Sequence, residues 1–208
     1  MWVKICGICR PEDAAAAAEA GADAIGLVLA DSPRRVSVAQ AEAIVAELPP
    51  DVVPIALFVD EPLASILTKC EILGVDTVQL HGNEPPDLVR HLTICGIEAI
   101  KAFRIGAEAD LAALRDYPGT TCLLDPKVPG KRGGTGVAMD WGLAARAAAR
   151  RRIILAGGLT PDNVAEAIRR VRPWGVDVSS GVEAAPGRKD HAKLRAFILA
   201  ARQAARRA

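Results

Sequence analysis

The sequence predicts an α/β protein, a single (β/α)8 barrel that spans residues 1–208. Short β-branched or apolar runs alternate with Ala-, Glu- and Arg-rich stretches, and this alternation occurs eight times at intervals of roughly 25 residues. Such alternation is typical of an all-parallel sheet with right-handed crossovers, and eight units most often close into a barrel. No Pro/Gly/Ser-rich linker divides the chain. An open doubly wound sheet is the structural alternative.

Each strand is expected where a short apolar run meets turn residues, and each helix where the longer Ala/Glu/Arg-rich stretch follows. In chain order, the strands are expected near residues 3–6, 24–29, 53–59, 77–81, 98–103, 121–125, 153–156 and 175–179. The helices are expected near residues 11–20, 38–48, 62–73, 86–95, 108–116, 138–150, 161–171 and 190–206.

Side-chain alternation along the strands predicts which residues face the barrel interior. The outer side of each strand packs on helices and should be apolar. We therefore expect these side chains to point outwards: Val3, Ile5, Val78, Leu80, Ile100 and Ala102. Their neighbours should point inwards: Lys4, Cys6, Gln79, His81, Lys101, Phe103, Leu123, Asp125, Asp177 and Ser179. Five strands would then direct polar groups at one cavity.

Two of these inward residues, Cys6 and Asp125, end the first and sixth strands. Catalytic groups of such barrels lie at the C-terminal strand ends, so a thiol and a carboxylate can face one substrate as base and acid. A thiol needs nearby positive charge to ionise, whereas an acidic Asp is disfavoured by it. We therefore expect Lys4 to lie deeper in the barrel, paired with Asp177. His81 is expected either to support its loop or to contact the ligand.

Glycine-rich loops after the last three strands indicate a phosphorylated ligand. The loops are 133–136, 156–159 and 179–183. Backbone N–H groups of glycines can approach an anion closely, and loops after strands seven and eight commonly hold phosphate in barrel enzymes. The expected ligand contacts in these loops are Gly134, Thr135, Gly157, Gly158, Ser179, Ser180 and Gly181.

Composition excludes several classes of protein. The 26 Lys and Arg residues nearly balance 25 Asp and Glu residues, so no overall field recruits nucleic acid or a membrane. No targeting signal or membrane-length apolar run is visible, which predicts a soluble cytoplasmic protein. Five cysteines are an odd number for a disulfide framework. Cys6 and Cys9 have the spacing of a redox or zinc pair, but no second pair completes a site, and no metal is expected.

The residues resemble the phosphoribosylanthranilate isomerase family of tryptophan biosynthesis over nearly the whole chain. The matching segments are Lys4–Ile8, Gly21–Ala24, Ser32–Val36, Val78–Gly82, Ile100–Arg104, Leu123–Asp125, Gly133–Gly136, Asp140–Trp141, Leu155–Leu159 and Val176–Glu183. The resemblance implies a cofactor-free Amadori rearrangement of N-(5-phosphoribosyl)anthranilate to the corresponding aminodeoxyribulose phosphate. It also implies a small phosphorylated substrate as partner; we expect a monomer or homodimer.

The same resemblance implies the role of individual residues. The general base of the family corresponds to Cys6 and its general acid to Asp125. Arg35 matches the residue expected to hold the anthranilate carboxylate, while Arg34 is expected to be a surface neighbour. The phosphate would bind at the glycine-rich loops.

Two alternative functions stay open at this point. Related sugar-phosphate isomerases of histidine biosynthesis share the barrel and the reaction type, but generally use two aspartates where this chain has Cys6 and Asp125. A non-catalytic barrel that binds a phosphorylated ligand is the other alternative. The joint presence of Cys6, Arg35 and Asp125 argues against it.

Overall fold

A computed structural model describes residues 1–127 and 139–206, and these form a closed barrel of eight parallel strands. The strands follow chain order: β1 Trp2–Cys6, β2 Ala24–Val28, β3 Val53–Phe58, β4 Thr77–Leu80, β5 Glu98–Ile105, β6 Thr121–Pro126, β7 Ile153–Leu155 and β8 Gly175–Val178. Each strand pairs with the next, and β8 pairs with β1 to close the barrel. The predicted (β/α)8 fold is therefore confirmed, and the open sheet is wrong.

Helices surround this barrel at the predicted places. Within the described residues they are α1 Pro11–Glu19, α2 Val38–Ala46, α3 Leu63–Leu73, α4 Pro86–Ile94, a 3-10 helix Glu108–Asp116, α5 Trp141–Ala148, α6 Val164–Val171 and α7 His191–Ala205. In the described part of the chain, no helix has the length and apolar character needed to cross a membrane.

A small hairpin after β8 was not expected from the sequence. A short 3-10 turn, Ser180–Val182, leads into β9, Glu183–Ala185, which pairs antiparallel with β10, Arg188–Lys189. Both strands are too short to show a period-two pattern, which explains why the sequence did not predict them. The hairpin lies between the loop after β8 and the last helix.

Buried side chains form two layers, and they confirm the predicted alternation on most strands. Val3, Ile5, Val78 and Leu80 belong to the large core between strands and helices. The interior of the barrel is filled by a separate cluster: Ala24, Ile55, Ile100, Ala102, Leu123, Ile154 and Ala156. Leu123 thus points inwards as predicted.

The predicted orientation of β5 is wrong. Ile100 and Ala102 lie inside the barrel, whereas Phe103 packs in the outer core, edge-on against Tyr117. Lys101 also points outwards, because its ammonium group pairs with the buried carboxylate of Glu84 at 3.0 Å. Of the five strands expected to direct polar groups at the cavity, β5 therefore does not contribute.

A buried ion pair joins β1 and β8 where the barrel closes. Lys4 is fully buried, and its Nζ donates to Oδ1 of Asp177, its register partner, at 2.8 Å. Burial alone would lower the pKa of Lys4, but the charges of Asp177 and Cys6 outweigh it and raise this pKa. Lys4 is therefore an ammonium ion, and the expected pairing with Asp177 is confirmed.

Replacement of one partner of this pair should strongly destabilise the fold. Asp177→Asn leaves the Lys4 ammonium buried without its counter-charge, which typically costs about 3–5 kcal/mol. Urea unfolding followed by circular dichroism measures the change. The matched control is Glu166→Gln, which breaks an exposed pair with Arg170 on α6 and should cost at most ~0.5 kcal/mol. Equal losses in the two variants would contradict a structural role for the buried pair.

Candidate active site

A cavity of about 770 Å³ lies at the C-terminal ends of the barrel strands. Cys6 from β1 and Asp125 from β6 both line it, and each is only 6% exposed. Further predicted site residues line the same cavity: Arg35, His81, Gly157, Gly158, Asp177, Ser179, Ser180 and Gly181. Gly134 and Thr135 lie outside the described residues. The barrel thus brings the thiol and the carboxylate to one space, as strand-end geometry requires.

Unpaired polar atoms are concentrated in this cavity. Within the described part of the chain, four of the five buried side-chain atoms that lack a hydrogen-bond partner belong to residues that line it: Gln79 Oε1, His81 Nε2, Asp125 Oδ2 and Ser179 Oγ. Buried polar groups are normally satisfied, and exceptions in a cleft indicate groups that interact with a ligand. The unpaired atoms therefore define the ligand-facing side of the site.

His81 lies next to the carboxylate of Asp125. Its Nε2 is 3.6 Å from Oδ2 of Asp125, and its Nδ1 is 2.9 Å from the amide nitrogen of Gln79. Nε2 has no hydrogen-bond partner and faces Asp125 and the cavity. Of the two interpretations left open for His81, this placement favours ligand contact.

The loop after β4 is held by Glu84 instead. The carboxylate of Glu84 accepts hydrogen bonds from the backbone N–H groups of Gly82 and Asp60, at 2.9 Å each. Glu84 is 2% exposed and its charge is balanced by Lys101. Sequence reasoning missed this residue, because a carboxylate in a polar loop carries no signal of burial.

The thiol of Cys6 is buried beside several charges. It packs with Val28 and Leu57, and burial raises the pKa of the thiol. The positive charge of Lys4 opposes this effect, but the pKa of Cys6 stays above its ordinary value. The thiol form therefore dominates at neutral pH, and the thiolate, when formed, can act as a base.

The loops after β7 and β8 require glycine. Gly157 and Gly158 have φ angles of 83° and 66°, in the left-handed region that favours glycine. A Cβ at Gly157 would overlap the ring of Pro126, and one at Gly181 would overlap the carbonyl of Leu159. Close approach of these loops places main-chain groups at the cavity wall, where an anion can bind.

Two consecutive arginines after β2 have different environments. Arg34 makes a bidentate ion pair with Glu183, with N–O distances of 2.8 and 2.7 Å, so the expectation of a surface neighbour is wrong. Glu183, at the start of β9, is itself largely buried, so its pair with the Arg34 guanidinium is shielded from solvent. Arg35 is exposed at the cavity rim, where a ligand carboxylate can reach it.

Fold and site together define a class of protein: a closed (β/α)8 barrel whose C-terminal cavity holds a thiol and a carboxylate beside glycine-rich loops. A model of the N-(5'phosphoribosyl)anthranilate (PRA) isomerase family matches residues 3–200. The chain belongs to this family.

Relatives and solved structures agree with this assignment. The N-(5'-phosphoribosyl)anthranilate isomerase of Pelobacter propionicus is 50% identical over 204 residues, 97% of this chain and 95% of the relative. Phosphoribosyl anthranilate isomerase from Thermotoga maritima superposes with a TM-score of 0.92 at 42% identity, over 98% of this chain and 99% of that one. A second crystal structure of such an isomerase contains reduced 1-(o-carboxyphenylamino)-1-deoxyribulose 5-phosphate, with a TM-score of 0.89, 41% identity and coverage of 98% and 99%.

Alkylation of Cys6 should report its raised pKa. Only the thiolate reacts with iodoacetamide, so a raised pKa lowers the reactive fraction at a given pH. We expect the reaction rate of Cys6 to rise with pH and to reach its half-maximum above the value of free cysteine, about 8.5. Peptide-resolved mass spectrometry across a pH series measures it, with free cysteine in the same buffers as reference. A half-maximum below that of free cysteine would contradict the prediction.

Proposed function

We propose that Asp125 and Cys6 catalyse the Amadori rearrangement of N-(5'-phosphoribosyl)anthranilate in this cavity, as acid and base. The family assignment gives the isomerase reaction and its place in tryptophan biosynthesis. The observation that carries the residue roles is the placement of both side chains in one cavity, with Oδ2 of Asp125 unpaired. Neither alternative function is favoured, because two relatives that are 50% and 46% identical to this chain are PRA isomerases.

The reaction needs one proton donated and one removed. Protonated Asp125 gives its proton to the furanose ring oxygen, and the ring opens to a Schiff base. The Cys6 thiolate then removes the proton from C2′, which yields an enolamine that tautomerises to the ketone. His81 lies 3.6 Å from Asp125 and can hydrogen-bond to the carboxylate or to a substrate hydroxyl during these steps.

Binding groups surround this acid–base pair. Arg35 at the rim suits the anthranilate carboxylate, because its planar fork can make two charge-assisted hydrogen bonds. The phosphate would bind at the main chain of the loops after β7 and β8: Gly157, Gly158, Ser179, Ser180 and Gly181. Gly134 and Thr135 are proposed as binding residues from the glycine-rich loop 133–136 of the sequence alone. Asp177 is proposed as a further binding residue because it lines the cavity.

Assembly and location stay predictions. The related enzyme of Thermotoga maritima is described as dimeric, and for this chain we propose a monomer or homodimer. A cytoplasmic location is proposed from the lack of a membrane-length apolar run, and the absence of a nucleic-acid partner from the nearly balanced charge.

Removal of either catalytic group should lower turnover without loss of binding. With freshly made phosphoribosylanthranilate, the fluorescence of the substrate should fall as the wild-type chain converts it. Cys6→Ala and Asp125→Asn should each lower kcat by at least ~10², because acid–base groups act mainly in the transition state. The affinity for the reduced product analogue should stay within several-fold, which titration calorimetry measures.

The matched control is Cys9→Ala, which removes a half-buried thiol close to the same loop. It should retain near wild-type kcat. If Cys6→Ala instead kept near-full turnover on authentic substrate, the thiol would be structural and the proposed base would be wrong. A wild-type chain without turnover would contradict the function itself.

Loss of Arg35 should weaken binding more than catalysis. The substrate carboxylate is present in ground state and transition state alike, so Arg35→Ala should raise KM at least ~10-fold with a smaller change in kcat. The control is Arg104→Ala at the same end of the barrel, where Arg104 donates to Asn83. Steady-state kinetics of both variants make the comparison. An unchanged KM in Arg35→Ala would place the carboxylate elsewhere.

A further inference from the structure

Lys189 on β10 is a buried cation directly behind the site. It is 3% exposed, and its Nζ donates to three acceptors: the carbonyl of Cys6 at 2.7 Å, the carbonyl of Ser179 at 3.2 Å and Oε1 of Glu183 at 3.0 Å. An ammonium group has three N–H donors, whereas a neutral amine has two. Three acceptors within hydrogen-bond distance favour the protonated form. Burial lowers the pKa of Lys189, and the charge of Glu183 opposes this effect.

The two carbonyls belong to the ends of β1 and β8, where the barrel closes. Cys6 is the last residue of β1, and Ser179 directly follows β8. The backbone N–H of Lys189 is also fixed, because it donates to the buried carboxylate of Asp13 on α1 at 3.1 Å. One side chain thus ties the main chain of the proposed base to the first residue of the proposed phosphate loop.

Glu183 extends this connection to a third segment. Its carboxylate accepts from Lys189 and, bidentately, from Arg34, the residue before Arg35. Burial would raise the pKa of Glu183, but the hydrogen bond from Arg34 and the charge of Lys189 hold it below its usual range. Glu183 is therefore ionised, and Lys189 keeps its counter-charge.

Charged groups reach the Cys6 thiol from several elements. Lys4 and Asp177 lie on the inner side of the barrel and pair with each other. Lys189 approaches from the hairpin, and Arg34 from the loop after β2. The charge of Lys189 lowers the pKa of Cys6 and so opposes the effect of burial.

We propose that Lys189 is a positioning residue for the isomerase: it fixes the main chain of Cys6 against the end of β8 and places its positive charge behind the thiol. This inference rests on the proposed role of Cys6 as base. Lys189 acts through Cys6 and does not need to touch the substrate. The role explains why the hairpin carries a buried lysine.

Lys189→Met tests the proposal, because methionine keeps most of the volume and removes the charge and all three donors. The pH of half-maximal Cys6 alkylation should move upwards by about one unit. In steady-state kinetics kcat should fall at least ~10-fold, with KM changed less. The control is Lys193→Met on α7, an exposed lysine whose Nζ donates to the carbonyl of Glu183 at 3.5 Å. It should move neither readout.

Glu183→Gln should shift the pH of half-maximal Cys6 alkylation in the opposite direction. It therefore distinguishes an effect of charge from a loss of order in the hairpin. Loss of the carboxylate leaves an excess of positive charge behind the thiol, so the half-maximum of Cys6 alkylation should move downwards. Loss of order in the hairpin would move both variants in the same direction. If a melting experiment shows that Lys189→Met does not fold, the Glu183→Gln result alone tests the proposal. An unchanged or upward shift in the pH of half-maximal Cys6 alkylation in Glu183→Gln would then overturn it.

The experiments distinguish a failure of the proposed role of Cys6 from a failure of the proposed role of Lys189. Alkylation of Cys6 needs no substrate, so the opposite shifts can occur even if Cys6→Ala keeps its turnover. In that case the base assignment is wrong while the electrostatic effect of Lys189 stands. An unchanged alkylation profile and an unchanged kcat in Lys189→Met overturn the positioning role alone.

Discussion

The ion pair between Lys4 and Asp177 is the interaction on which the interior of the barrel depends. It joins the first strand to the last at 2.8 Å, so it lies where the chain closes on itself. A buried pair gains little net energy, but either charge alone would be costly. The pair therefore helps to hold β1 beside β8, and the positive charge of Lys4 acts on the thiol of Cys6, two residues further along β1.

Sequence periodicity was sufficient for the fold, because each βα unit buries its own apolar face. The orientation of β1, β4, β6 and β8 followed from the requirement that the side facing the helices be apolar. On β5 this argument failed at Lys101. A lysine can occupy the outer layer when a carboxylate balances it, and Glu84 does so from the loop after β4. Alternation along one strand cannot reveal a partner that another segment supplies.

The same limit applies to the site. Cys6 and Asp125 were predicted to share one cavity because barrel geometry brings strand ends together, and both line it. Lys189 was missed, since the residue it supports is 183 positions away in sequence and the Gly-Arg-Lys-Asp segment has the composition of a polar turn. Arg34 was misplaced for a similar reason. Its burial depends on Glu183, which the unpredicted hairpin brings to the barrel rim.

The proposed acid and base have opposite electrostatic requirements, and the charged neighbours of Cys6 and Asp125 differ. A cation that touched both groups would favour the thiolate but would also keep Asp125 ionised. Here the two ammonium groups near the thiol are bonded to carboxylates of their own, Lys4 to Asp177 and Lys189 to Glu183. Asp125 instead faces His81 across 3.6 Å. Positive charge is thus directed at the back of the thiol, while the acid keeps a neighbour that can exchange hydrogen bonds with it.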